Sequence, residues 1–64
     1  MNSPAGVDNA LKMREMFHKD GYRCRLDIGQ SPISKLVATL YVTKGAFFRG
    51  YYFREDGTYY RGSN

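Results

Sequence analysis

The sequence predicts an α+β fold, with one N-terminal helix packed on a four-stranded antiparallel β-meander. Three observations predict it. Apolar residues recur at helical spacing through the first twenty positions. After Gly21 the hydrophobic period drops to two, the signature of half-buried strands. Two turn signals, Lys44-Gly45 and Asp56-Gly57, then divide the remainder into antiparallel strands. The expected elements are a helix at about 4–20 and strands at about 22–28, 36–43, 46–55 and 58–61, within a single small domain spanning 1–64.

Ser3-Pro4 offers a helix N-cap followed by proline at the first helical position, and Asp8 is an equally good later cap. Val7, Ala10, Leu11 and Phe17 fall on one side of the helix, with Met13 at its edge. Asp8, Lys12, Glu15 and Lys19 fall on the other and form acid-before-base pairs, each worth about 0.3 kcal/mol. Arg14 projects within the apolar stripe and is expected to run its stem to the rim. Gly21 is expected to end the helix as a left-handed cap.

Tyr22, Cys24, Leu26 and Ile28 alternate with Arg23, Arg25 and Asp27 in the first strand. Gly29 to Ser34, containing Ser31-Pro32, reads as a loop, and Leu36 to Thr43 as a second strand rich in β-branched residues. Ala46 to Glu55 is the third strand, Asp56-Gly57 a type I′ hairpin turn, and Thr58 to Arg61 the fourth strand. With these turns Val42 is expected to face Phe47, Leu40 to face Arg49, Phe53 to face Tyr60, and Arg54 to face Tyr59. One side of the sheet then collects Leu36, Ala38, Leu40, Val42, Phe47, Tyr51, Phe53 and Tyr60. Of these, Leu36, Leu40, Val42, Phe47 and Phe53 are expected to be buried against Val7, Leu11 and Phe17. Arg49 also lands on this core side, so it must reach an edge, meet an acid or mark a bulge.

The other side collects Val37, Thr39, Tyr41, Phe48, Tyr52, Arg54, Tyr59 and Arg61, joined by Arg23 and Arg25 if the first strand pairs beside the second. The interaction surface is expected here, formed by Tyr41, Phe48, Tyr52, Arg54, Tyr59, Arg61, Arg23 and Arg25. Aromatic rings interleaved with guanidinium groups suit nucleic acid, because bases stack on rings while arginines neutralise phosphate. The net charge of +4 and pI near 9.5 favour an anionic partner. The expected function is therefore a non-enzymatic nucleic-acid-binding module, for DNA or RNA. The alternative is a small protein-binding inhibitor or adaptor of mobile-element type, since interface hot spots also favour Tyr and Arg. Open strand edges and a small core further predict a homodimer.

Composition narrows the other possibilities. A chain of 64 residues buries only about 60% of its unfolded surface, too little for a deep substrate cavity. A composition of 42% hydrophobic and 16% aromatic residues disfavours disorder. One cysteine, Cys24, and one histidine, His18, leave no disulfide framework and no Cys-rich zinc site, so no cofactor or metal is expected. The chain reads as cytoplasmic, because a small domain without disulfide or zinc staples suits a reducing compartment and no signal-peptide pattern is seen. It reads as not membrane-bound, because Leu36 to Val42 is far too short to cross a bilayer. No catalytic residue is expected. His18 suits a surface position at a helix end, Cys24 points inward by strand parity, and Glu55 and Asp56 flank a solvated turn.

The segment Gly50-Tyr-Tyr-Phe-Arg-Glu-Asp-Gly-Thr-Tyr-Tyr-Arg-Gly62 resembles a single aromatic hairpin unit of choline-binding cell-wall repeats. The likeness lies in its Gly-Tyr-Tyr-Phe start, Asp-Gly turn and terminal Gly. Those families use tandem copies in exported proteins, whereas this chain has one copy and no tryptophan. No site residue follows from the resemblance.

Overall fold

The computed structural model describes residues 5–29 and 35–62. Helix α1 spans Ala5–Lys19, followed by strands β1 (Arg23–Ile28), β2 (Leu36–Lys44), β3 (Phe47–Arg54) and β4 (Tyr59–Gly62). The strands form one open antiparallel sheet in the order β1-β2-β3-β4, and α1 lies across β1, β2 and β3. This is the helix-on-meander architecture read from the sequence. The expected Ser3-Pro4 start and the Ser31-Pro32 loop lie outside the described residues.

The helix presents Val7 and Ala10 to the sheet as buried residues, with Met13 and Phe17 packed beside them. Leu11 is a correction: it is 40% exposed and sits at the rim. The cause is Gly6, which is buried and lies directly against the Arg54 carbonyl and Val37 of the sheet. At about 100° per residue, a face centred on Gly6, Ala10 and Phe17 turns Leu11 roughly 120° away. Arg14 is exposed, as a long stem at the rim requires.

The helix ends as the glycine predicts. Gly21 has φ +88°, and its N–H donates to His18 O at 3.1 Å while Tyr22 N–H donates to Phe17 O at 3.1 Å. This paired pattern is the Schellman motif, and its usual apolar contact is present as an edge-to-face pair of Phe17 and Tyr22, 5.1 Å between centroids.

The β2–β3 register shifts from the expectation without changing faces. Lys44 pairs with Phe47 and Leu40 with Tyr51, so the connecting turn is Gly45-Ala46 rather than Lys44-Gly45. Gly45 takes φ +59° at the first central position, as a type II′ turn requires. Arg49 therefore faces Val42, not Leu40. Arg49 is half-buried, and its guanidinium lies over the Phe47 ring at 4.9 Å.

A bulge between Leu36 and Ala38 is a second correction. It carries Val37 under the helix at 3% exposure and leaves Leu36 half-buried. Phe47 is also half-buried rather than buried, because it flanks the core near the β2–β3 turn. The fully buried large side chains are Phe53, Leu40 and Val42, all anticipated for the core. Among the described residues, Val7, Ala10, Val37, Ala38 and Tyr51 join them in the core.

The β3–β4 hairpin is the correction with functional weight. Phe53 pairs with Tyr59, Tyr52 with Tyr60, and Tyr51 with Arg61. The loop holds three residues, Glu55-Asp56-Gly57, closed by Arg54 N–H to Thr58 O at 2.8 Å. Gly57 N–H donates to Arg54 O at 3.1 Å, and Gly57 has φ +94°. A type I turn followed by a left-handed glycine has this form, whereas a two-residue type I′ turn would not leave Gly57 in that place. The extra loop residue shifts the register by one and exchanges the faces of every β4 side chain. Tyr59 and Arg61 therefore lie on the helix side, and Tyr60 on the open side. Asn9 of α1 secures the hairpin from above, donating from Nδ2 to Gly57 O at 2.9 Å.

Asp56 organises this loop. Its Oδ1 accepts from Thr58 Oγ1 at 2.6 Å and from Thr58 N–H at 2.9 Å. These bonds, the side-chain one foremost, hold its pKa below the ordinary carboxylate value. A depressed folded-state pKa stabilises the fold above the unfolded value of about 4, and that stabilisation is lost as pH falls through the lower folded value. Thermal melts across this acid range are expected to show wild type losing stability relative to Asp56→Asn, which has no carboxylate to protonate. Parallel pH profiles for the two would contradict this role.

Candidate nucleic-acid interface

The face of the sheet away from α1 is uncovered among the described residues. Register and strand alternation place its side chains in rows across the strands. Arg23, Thr43 and Phe48 form the first row; Arg25, Tyr41, Gly50 and Gly62 the second; Asp27, Thr39, Tyr52 and Tyr60 the third. Arg54 follows Tyr52 on β3. Six of the eight residues expected on this surface are therefore together: Tyr41, Phe48, Tyr52, Arg54, Arg23 and Arg25. Tyr59 and Arg61 are not among them. Tyr59 packs on the helix side against Phe53 and Tyr51, with ring centroids 5.2 and 5.8 Å away. Tyr60 takes its place on the open face, whereas the two-residue turn expected from the sequence puts it on the core side.

The rings stand in two pairs. Tyr41 and Phe48 are stacked with centroids 6.1 Å apart and planes 15° from parallel. Tyr52 and Tyr60 are stacked at 5.1 Å and 28°. The two glycines of the second row make room for them. A Cβ on Gly62 would lie 2.6 Å from Tyr52 Cε2, and one on Gly50 would touch Tyr41 Cδ1 at 3.5 Å. Tyr41 and Tyr52 thus lie down across glycine backbone and are half-buried, while Phe48 and Tyr60 remain 43% and 45% exposed.

Charge is unevenly distributed. Arg23, Arg25 and Arg54 belong to the open face, and the Arg54 guanidinium lies 4.8 Å above the Tyr60 ring. Of the six acidic residues only Asp27 shares this face; Asp8, Glu15 and Asp20 belong to the helix or its end, and Glu55 and Asp56 to the hairpin tip. Arg23, Arg25, Asp27, Tyr41, Thr43 and Phe48 border an open hollow of about 420 Å³.

The expected bystanders occupy other places. Cys24 is half-buried on the helix side, with Sγ 3.7 Å from Arg14 O. Burial pushes its thiol pKa up, and the nearby Arg14 charge offsets only part of that, so the reactive thiolate is disfavoured. His18 is exposed in the last turn of α1. Among the described residues no three His, Cys, Asp or Glu side chains gather where they could hold a metal ion, and no helix is long and apolar enough to cross a membrane.

Comparison with protein-family models, with curated proteins and with solved structures finds no match for this chain.

Proposed function

We propose that the open sheet face binds single-stranded nucleic acid, without catalysis, in the cytoplasm. The observation that supports this reading most is the juxtaposition of two stacked ring pairs, Tyr41–Phe48 and Tyr52–Tyr60, with Arg23, Arg25 and Arg54 on one face. Bases stack on exposed rings with about 1–3 kcal/mol per base, and arginines beside them neutralise phosphate. A duplex hides its base faces, so a flat platform of rings favours an unpaired strand.

Titration of labelled single- and double-stranded oligonucleotides at low salt tests the reading. Single strands are expected to bind more tightly than duplexes, with affinity falling linearly in log salt. Arg54→Ala is expected to weaken binding across sequences alike and to reduce the salt slope by about one unit. Failure of the folded protein to bind any strand up to about 100 μM would overturn the reading. A nuclease-resistant complex lost on the same substitution would then identify a protein partner, as an inhibitor or adaptor requires.

A further inference from the structure

We propose that the hollow on the β1 side of the open face seats a guanine base, with the Asp27 carboxylate reading its Watson–Crick edge; this rests on the single-strand reading above. The hollow is bordered by the stacked Tyr41 and Phe48 rings, by Thr43, and by Arg23, Arg25 and Asp27. The rings offer a stacking surface, and the two arginines supply positive charge for the phosphate of the same nucleotide. Asp27 is the anomaly. A carboxylate on a phosphate-binding surface repels the ligand, and it is the sole acid on this face.

Structure gives Asp27 little other employment. Its Oδ1 lies 3.6 Å from Arg25 Nε, with the two side chains 54% and 78% exposed. A solvated pair of this kind contributes about 0–1 kcal/mol. An ionised carboxylate only accepts hydrogen bonds, so the ligand group it suits must be a donor. Guanine alone presents two adjacent donors on one edge, N1–H and the N2 amino group, which match the two carboxylate oxygens. Adenine and cytosine each offer one amino group on that edge. Uracil and thymine flank their single N–H with carbonyls that repel the carboxylate. Charge-assisted bonds of this kind are about twice as strong as neutral ones, which makes the discrimination large enough to measure.

The test is fluorescence anisotropy with a short oligouridine and with versions carrying one central guanine, adenine or cytosine. The guanine strand is expected to bind about 5- to 100-fold more tightly than the other three. Asp27→Ala, at an exposed position, should retain the native circular dichroism spectrum. It is expected to shrink the guanine preference to about twofold or less, while affinity for oligouridine holds or rises because a repelling charge is gone. Equal affinity of the wild-type protein for all four strands would overturn the guanine assignment and leave the single-strand reading standing. So would a guanine preference that survives Asp27→Ala. Failure of every strand to bind would overturn both.

Discussion

Phe53→Ala is expected to unfold the domain. The ring is fully buried in the core, pairs across the sheet with Ala38 on one side and packs against Tyr59 on the other, with ring centroids 5.2 Å apart. Removing a buried phenylalanine ring costs about 3–5 kcal/mol, through lost transfer energy and the cavity left behind. A chain of this length holds rarely more than about 3–5 kcal/mol in total. The two quantities meet, so no native reserve remains. Circular dichroism and urea titration check this: the variant should show no cooperative transition, and Phe53→Leu should keep one at a lower midpoint. A Phe53→Ala protein with a midpoint close to wild type would contradict the placement of this side chain.

Gly6→Ala is expected to destabilise the fold, against the ordinary helix preference. In an exposed helix interior, alanine is better than glycine by about 1 kcal/mol. At Gly6 a methyl group would overlap the Arg54 carbonyl oxygen and lie 2.6 Å from Val37 Cγ2. That carbonyl cannot easily yield, because it accepts from Gly57 N–H while Arg54 N–H donates to Thr58 O. The helix must lift instead, separating Ala10 and Val7 from the core. Overpacking of this kind costs about 1–3 kcal/mol and occasionally more, which outweighs the helical gain. The sign is the discriminating result. A fall in melting temperature fits the close approach, and a rise would show that the helix N-terminus stands off the sheet.

Much of this arrangement is legible in the residues. The change from helical spacing to alternation at Gly21 marks the boundary where the Schellman cap is found. The β2–β3 pairing differs by two residues from the expected one, yet the faces agree, because strand alternation is unaffected by an even shift. The β4 register is different in kind. Asp56-Gly57 suits both a two-residue loop and a three-residue loop ending in a left-handed glycine, and the two differ by one residue. Tyr59 and Tyr60 are the same residue type, so composition cannot tell which one faces inward. A signal was present in Thr58, two residues after Asp56, which lets the aspartate accept from both the backbone and the hydroxyl. The bulge at Val37 was less legible: Leu36-Val37-Ala38 is an unbroken apolar run, and alternation gives no parity there. Leu11 departs from its expected place for a further reason. Helical periodicity weighs apolar side chains, but the face of α1 is set by Gly6, which has none.

The exchange of Tyr59 for Tyr60 also supplies the most direct test of the proposed interface. The measurement is the affinity of Tyr60→Ala and Tyr59→Ala for one single-stranded oligonucleotide, at a temperature where both variants are folded. Tyr60 is stacked on Tyr52 on the open face, while Tyr59 packs against Phe53 behind it. Tyr60→Ala is therefore expected to lose about 1–3 kcal/mol of binding, and Tyr60→Phe much less because the ring face makes the contact. Tyr59→Ala is expected to bind as wild type does, although its melting temperature falls. Loss of binding in Tyr59→Ala with wild-type affinity in Tyr60→Ala would contradict the account.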